Sequence, residues 1–297
     1  MGAINGNQSG MSKTDNIIAF QGAHGAYSDL ACRNVFPDLV TLPCRTFEDA
    51  FAAIRDGKAG RGMIPIENSI AGRVADIHHL LPDSGLHIIG EHFQRVNHHL
   101  MAIKGATLET ITHVHSHVHA LSQCRDIIRK LKIEAVVHVD TAGAAAELAK
   151  KGDPTQAVIA SELAAHLHGL EILAGNIEDA DHNTTRFLIM TREPQVPPVD
   201  QGTVMTSFVF RVRNIPAALH KAMGGFASNG INMTKLESYL VGGHFHAAQF
   251  FAEVEGHPEQ PGMKLALEEL GFFSHEVVIL GTYPAHPYRL ENSPPEE

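Results

Sequence analysis

Apolar residues in the first two thirds of the chain fall into short runs, set apart by glycine turns and by stretches whose apolar positions recur at helical spacing. Ile17-Ile18-Ala19-Phe20 is one such run. It is closed by Gln21-Gly22-Ala23-His24-Gly25-Ala26-Tyr27-Ser28-Asp29, after which Leu30, Ala31, Val35 and Phe36 fit a helix that Pro37 ends. The pattern repeats with a strand over 39–42, a helix over 47–54 closed by Gly57, and a strand over 62–66. This alternation, without internal sequence repeats, predicts an α/β domain with a largely parallel sheet. Residues 88–101 form an extended segment long enough to cross into a second lobe. Leu121, Cys124, Ile127, Ile128 and Leu131 then have helical spacing, followed by a strand over 135–139, an Ala-rich helix over 141–150, a strand over 157–160 and a helix over 161–168 ending at Gly169. A second extended segment near Phe187 supplies a return crossing. Two α/β lobes with a cleft between them are therefore expected over 16–192.

The Pro-rich stretch 193–202 reads as an extended linker. Beyond it the order is β (206–212), α (217–227), β (231–240), a Gly242-Gly243 turn, β (244–254), α (263–270) and β (276–280), the ferredoxin-like βαββαβ pattern, in a domain spanning 203–285. Its sheet has an edge that can pair with another subunit, so a homodimer or homotetramer is expected. Residues 1–15 and 286–297 read as disordered tails.

Composition narrows the partners. With 297 residues, 44% of them hydrophobic, the chain can bury a core in each domain. A formal charge of -10 argues against nucleic acid and against an anionic membrane surface. Cys32, Cys44 and Cys124 are scattered and odd in number, which suggests neither a disulfide framework nor a thiolate zinc site. No apolar stretch reaches the roughly 20 residues of a membrane span, and the start lacks the parts of a secretion signal, so a cytoplasmic protein acting on small molecules is expected.

Four places carry candidate chemistry. Gly25 and Ser28 lie where a glycine turn would aim a helix N-terminus at an anion, although Gly22-x-x-Gly25 is not a dinucleotide fingerprint and tight-turn glycines without a ligand are as ordinary. Glu67-Asn68-Ser69 follow a strand and precede a helix, where open α/β sheets bind ligands and where the same residue types cap helices. His113, His115, His117 and His119 alternate, but Ser116 is a good helix cap, so the strand should stop near His115 and break any four-histidine metal site. Finally, Asn183-Thr184-Thr185-Arg186-Phe187 set amide, hydroxyl and guanidinium groups at the mouth of an apolar run; on a strand Asn183, Thr185 and Phe187 share one face and Thr184 and Arg186 the other.

Together these motifs closely resemble prephenate dehydratase with a C-terminal ACT regulatory domain, over essentially the whole chain from about residue 17 to residue 283. The resemblance rests on Gly22-x-x-Gly25-Ala26-Tyr27-Ser28, Pro65-Ile66-Glu67-Asn68-Ser69, Ser116-His117 with Ala120-Leu121 and Gln123-Cys124, Thr141-Ala142, and Asn183-x-Thr185-Arg186-Phe187. It implies a catalytic domain of two lobes, like a type II periplasmic binding protein, and conversion of prephenate to phenylpyruvate with loss of water and carbon dioxide. It implies no metal or organic cofactor, and because no helical pattern precedes residue 17 no fused chorismate mutase is expected. By resemblance Thr185 is tied to activity, with Glu67, Asn68, Ser69 and His117 beside it as catalytic residues. Ser28, Gly25, Thr141, Asn183, Arg186 and Phe187 are then expected to bind substrate, Arg186 through a carboxylate. Because Thr185 and Arg186 alternate on an ideal strand, either a local twist or a structural Arg186 is required.

In the second domain Ala218, Leu219, Asn229-Gly230-Ile231-Asn232-Met233 and Glu237-Ser238 resemble the ACT effector site, which implies inhibition by L-phenylalanine. The chain departs from the family where Ala217 replaces the glycine of Gly-Ala-Leu and where Tyr239-Leu240 replace the Arg-Pro of Glu-Ser-Arg-Pro. Two other readings stay open: arogenate dehydratase, the same elimination on an aminated substrate, and a two-lobed amino-acid sensor with an inert cleft.

Overall fold

A computed structural model describes residues 14–240 and 247–291. The expected tails over 1–13 and 292–297 and the expected Gly242-Gly243 turn lie outside the described residues.

The first lobe is a sheet in the order Val40–Cys44, Ile17–Gln21, Arg61–Asn68, Thr184–Thr191, His87–Arg95. Its first three strands are parallel, whereas Thr184–Thr191 runs antiparallel to both neighbours. The sheet is thus mixed: Thr184–Thr191, which follows the return crossing, runs against the other four strands of this order, which share one direction. The second lobe has the order Glu171–Ala174, His99–Ala102, Gln156–Ala160, His113–Ser116, Glu134–Val137. The outward crossing occupies 96–98; the return crossing runs through 175–183, ahead of Phe187, which sits inside a first-lobe strand. The histidine row breaks as expected, but Ser116 is not the cap: it ends the strand that holds His113 and His115, with its hydroxyl donating to the Ile159 carbonyl, while His117 caps the helix Val118–Ser122 and His119 lies within it.

Helix ends follow local chemistry. Thr46, Asp140 and Ser161 each accept an N-cap hydrogen bond, and Gly152 and Gly169 end helices in the left-handed conformation.

The C-terminal domain is a four-stranded antiparallel sheet in the order Met233–Leu240, Ala247–Glu255, Val204–Val212, Ser274–Pro284, with helices Ala218–Ser228 and Pro261–Phe273 on one face. That order and connectivity are ferredoxin-like. The opposite face does not meet water: Met205, Val209, Phe251 and Tyr283 form one core with Ile77, Leu81 and Ile88 of the first lobe. Full burial of an apolar side chain of this size contributes about 1.5–3 kcal/mol, so the domain is docked rather than tethered. At Gly281 the two backbones approach closely, since a Cβ there would lie 2.0 Å from the Ile88 carbonyl oxygen. Residues 286–291, expected in a disordered tail, instead pack against the first lobe: the helix Pro287–Glu291 stacks Tyr288 on Phe93 at 4.6 Å. Among the described residues no helix is long and apolar enough to cross a membrane.

Candidate active site

A cleft of about 300 Å³ opens between the lobes, lined by Tyr27, Ser28, Asn68, His98, His117, His119, Gln123, Asp140, Thr141, Asn183 and Thr185 among others. The helices Tyr27–Val35 and Thr141–Lys151 both begin at its wall, so their N-terminal N–H groups and dipoles face the space. Among the described residues no Lys or Arg lines it. Any carboxylate bound here is held by helix N-termini, hydroxyls and imidazoles.

The polar side chains form one directed chain. Asn68 Oδ1 accepts from the backbone N–H groups of Ile70 and Ala71, at 2.9 and 2.8 Å, which fixes the orientation of its amide. Its Nδ2 therefore donates twice, to Asn183 Oδ1 at 2.8 Å and to Thr185 Oγ1 at 3.0 Å. Asn183, fully buried, passes the direction on by donating to Gln123 Oε1 at 2.9 Å. Gln123 Oε1 also meets His98 Nε2 at 2.9 Å, and His98 Nδ1 meets the Tyr27 hydroxyl at 2.9 Å. With Asn68 donating to it, the Thr185 hydroxyl keeps its own proton for whatever occupies the cleft.

Burial lowers the pKa of His98, outweighing Gln123 and Glu178, which oppose it. Burial and then the adjacent His119 lower that of His117. His117 Nδ1 accepts from the His119 backbone N–H, so the neutral ring carries its proton on Nε2 and acts as a donor.

Of the residues expected in the site, Ser28, Asn68, His117, Thr141, Asn183 and Thr185 are brought together. Five others are turned elsewhere. Ser69 staples the loop, donating to the His182 carbonyl and accepting from the Thr184 N–H. Gly25, with φ of +91°, touches the second lobe so tightly that a Cβ would lie 3.0 Å from Ala164 Cα. Phe187 is core, packed with Ile18, Phe20 and Met63.

Arg186 does not reach the cleft. It is 3% exposed and points into the C-terminal domain, bidentate to Glu253 at 2.7 and 2.8 Å, with Glu91 at 2.7 Å and Glu67 at 2.9 Å. Alternation along the strand does this: Thr185 pairs in register with Asn68 on the cleft side, and Arg186 with Glu67 on the other. Glu67, expected beside Thr185, thus belongs to the domain interface, where it also meets Lys235. Burial opposes ionisation of Glu67, but the charges of Arg186 and Lys235 outweigh it and hold the carboxyl below its ordinary value.

Sequence reasoning gave no role to Tyr27, His98, His119, Gln123 or Asp140. Tyr27 and Gln123 stood within quoted motifs, His119 within the histidine row, and Asp140 is an N-cap next to Thr141; His98, in the crossing segment, had no local signal.

The expected effector residues divide as well. Asn229, Gly230, Ile231, Asn232 and Met233 link the end of one helix to the next strand, Ala218 and Leu219 sit in the first turn of that helix, and Ser238 is exposed. Glu237 faces the first lobe instead, 2.8 Å from Lys235 and 3.5 Å from Arg73.

The sequence profile of the prephenate dehydratase family matches residues 18–195, which contain every side chain of this cleft. The chain belongs to the prephenate dehydratase family. It is 54% identical, over 93% of its length and 98% of the relative's, to a bifunctional N-acyl-homoserine lactone acylase/prephenate dehydratase of Komagataeibacter europaeus. An arogenate dehydratase/prephenate dehydratase of Arabidopsis thaliana is 36% identical over 90% of this chain and 72% of the relative. Among solved structures, the prephenate dehydratase of Arthrobacter aurescens in complex with L-Phe superposes with a TM-score of 0.83 at 30% identity, over 91% of this chain and 90% of that one. Membership in the prephenate dehydratase family places the protein among the lyases.

Proposed function

We propose that the protein converts prephenate to phenylpyruvate, carbon dioxide and water, and that L-phenylalanine acting on the C-terminal domain inhibits it. The observation that carries this reading is the Thr185 hydroxyl, oriented by Asn68 so that its proton faces the cleft. The bond from the ring to its carboxylate breaks, its electrons complete the aromatic sextet, and the ring hydroxyl departs from the opposite carbon. Thr185 stabilises the charge that develops on the departing oxygen with a hydrogen bond and keeps its proton, and the hydroxide takes up one proton from solvent to leave as water. The N-termini of Tyr27–Val35 and Thr141–Lys151, with Ser28, Thr141 and His117, hold the substrate's two carboxylates, while Asn183 and Gln123 keep the amide chain in place. Aromatisation supplies the driving force, so the residues need only orient the substrate and assist the leaving group. Phenylalanine control is supported by the ferredoxin-like domain and by the L-Phe complex of the Arthrobacter aurescens relative.

Two observations favour further substrates. Asp140 places a carboxylate at the wall of the cleft, where it suits the ammonium of arogenate, the substrate named for the Arabidopsis relative. The name of the 54% identical relative adds an N-acyl-homoserine lactone. The test is turnover by the purified protein of prephenate, followed by phenylpyruvate absorbance in alkali, with and without phenylalanine, and with arogenate and an N-acyl-homoserine lactone in parallel. Prephenate turnover lowered by phenylalanine supports both parts. Consumption of arogenate alone transfers the activity to arogenate dehydratase; consumption of none leaves an amino-acid sensor.

A further inference from the structure

The strand Met233–Leu240 of the C-terminal domain lies against the loop that carries Asn68. Its side chains at positions 235, 237 and 239 share one face, as strand alternation requires, and each meets a different residue of the first lobe. The Lys235 ammonium pairs with Glu67, Glu237 lies 3.5 Å from Arg73, and the Tyr239 hydroxyl bonds His78 Nδ1. Glu67 and Arg73 are themselves partners across the narrow hairpin of Arg61–Asn68 and Gly72–Arg73. Between them this hairpin holds Asn68 and Ala71, both in the wall of the cleft. One strand of another domain thus grips both arms of the loop that orients Thr185.

The registers make the grip specific. Asn68 and Thr185 are paired across two strands, and Glu67 and Arg186 are the next pair, facing backward. Immediately beyond, the register slips, with Phe187 opposite Pro65, leaving Ile66 as a bulge. Bulges near active sites re-aim side chains, and here the bulge lies next to the charged pair, so a shift of Glu67 is passed to Asn68 through one peptide unit. Lys235, with its side chain 12% exposed, is sandwiched between Glu67 and Glu237 at 2.8 Å from the latter.

We infer that Lys235 is a positioning residue for the dehydration: held by Glu237, it fixes Glu67, and through Glu67 the Asn68 amide that aims the Thr185 proton. The C-terminal domain is then part of the catalytic apparatus and not solely a regulatory attachment. The same strand begins at Met233, in the segment that resembles an effector site, so a ligand bound there acts on the loop by way of Lys235. The inference rests on the dehydratase reading.

The experiment compares kcat and KM for prephenate in the full chain carrying Lys235→Met, which keeps the apolar stem and removes the charge, and Lys235→Arg, which restores it. Lys235→Met should lose about 10-fold in kcat with KM within about threefold of the parent, since small misplacements of a catalytic group cost rate rather than affinity. Lys235→Arg should recover most of that loss at the same melting temperature. Because Lys235→Met leaves Glu67 short of a partner and can fail to fold, Glu237→Gln serves as a second variant; it removes the carboxylate that holds Lys235 and leaves Glu67 paired with both Lys235 and Arg186. It should lower kcat by about threefold. Parental kcat in a folded Lys235→Met protein, a loss that Lys235→Arg does not recover, or parental kcat in Glu237→Gln where Lys235→Met does not fold, overturns the inference. Absence of prephenate turnover in the parent instead overturns the dehydratase reading, which separates the two failures.

Discussion

Thr185 and Arg186 are consecutive residues of one strand that serve different domains: the first lines the cleft with a hydroxyl that accepts from Asn68, and the second is buried in a carboxylate cage completed by Glu253 of the C-terminal sheet. Three cations, Arg186, Arg289 and Lys235, meet Glu67, Glu91 and Glu253 across the domain boundary. Removing one member of such a buried set costs about 3–5 kcal/mol, because the remaining charge loses its partner in a poorly solvated place. The backward face of this strand therefore has a strict requirement of its own, independent of the cleft.

On the forward face, Thr185→Val keeps shape and burial and removes the hydroxyl. Turnover of prephenate should fall by about 10²-fold to 10³-fold, the loss expected for one transition-state donor, with little change in KM. Unchanged turnover at unchanged affinity would remove Thr185 from the chemistry. Steady-state kinetics alongside a thermal melt separates this loss from a loss of fold.

Gly281 predicts how far the two domains depend on each other. A Cβ at this position meets the Ile88 carbonyl oxygen at 2.0 Å and its carbon at 2.8 Å, backbone atoms that cannot rotate away. Gly281→Ala must pry the C-terminal sheet from the strand His87–Arg95. It should destabilise by about 1–3 kcal/mol, the usual cost of overpacking, and make the 193–202 segment more readily cleaved in limited proteolysis. A melt and digestion pattern like the parent's would show that the domains can separate without consequence.

The sequence made the fold and half of the site legible for identifiable reasons. Helix and strand signals are local, so the βαββαβ order and the broken histidine row could be read from caps and periodicity. Alternation on residues 183–187 separated two faces correctly but did not say which face met the cleft. The identity of a face is set by contacts far along the chain: Arg186 finds Glu253 at a separation of 67 residues and Glu91 at 95. The same applies to His98, whose role depends on Gln123 and Tyr27, and to residues 286–291, whose polar composition suggested a free tail until Arg289 met the Glu91 carboxylate.

Ala217 carries a conformation suited to glycine. Its φ of 60° and ψ of 20° are left-handed, a cost of about 1–2 kcal/mol for a residue with a Cβ. Ala217→Gly relieves that strain and returns about 0.4–1 kcal/mol to the unfolded chain's entropy, so a net stabilisation of roughly 0.5 kcal/mol is expected. The position is exposed at the start of the helix Ala218–Ser228. Denaturant titration should show a raised midpoint, and a lowered one would mean that Ala217 makes a contact that compensates for its backbone.

Acid should weaken the domain interface in two stages, the first through His78. This imidazole is 1% exposed, bonded through Nδ1 to Tyr239, with Nε2 3.6 Å from Glu237. Burial lowers its pKa to about 4, with Glu237 opposing the shift and Lys235 and Arg73 adding to it. The folded value lies below the roughly 6.5 of an unfolded histidine, so over that interval the unfolded chain binds the proton and the folded chain does not. The stability His78 contributes is complete above about pH 6.5 and is lost as pH falls toward 4. Glu253 follows: Arg186 and Arg289 overcome its burial and hold its pKa at about 2, so its contribution is complete above about pH 4.3 and disappears below that. Urea unfolding at pH 7, 6 and 5 should therefore show a falling midpoint before any carboxylate titrates. His92, His98, His117 and His168, also lowered chiefly by burial, add to the same slope. His78→Gln keeps a hydrogen-bonding partner for Tyr239 without a titrating group, and should remove part of the decline between pH 7 and 5. A variant that declines as steeply as the parent would place the acid sensitivity in these other imidazoles and not in His78.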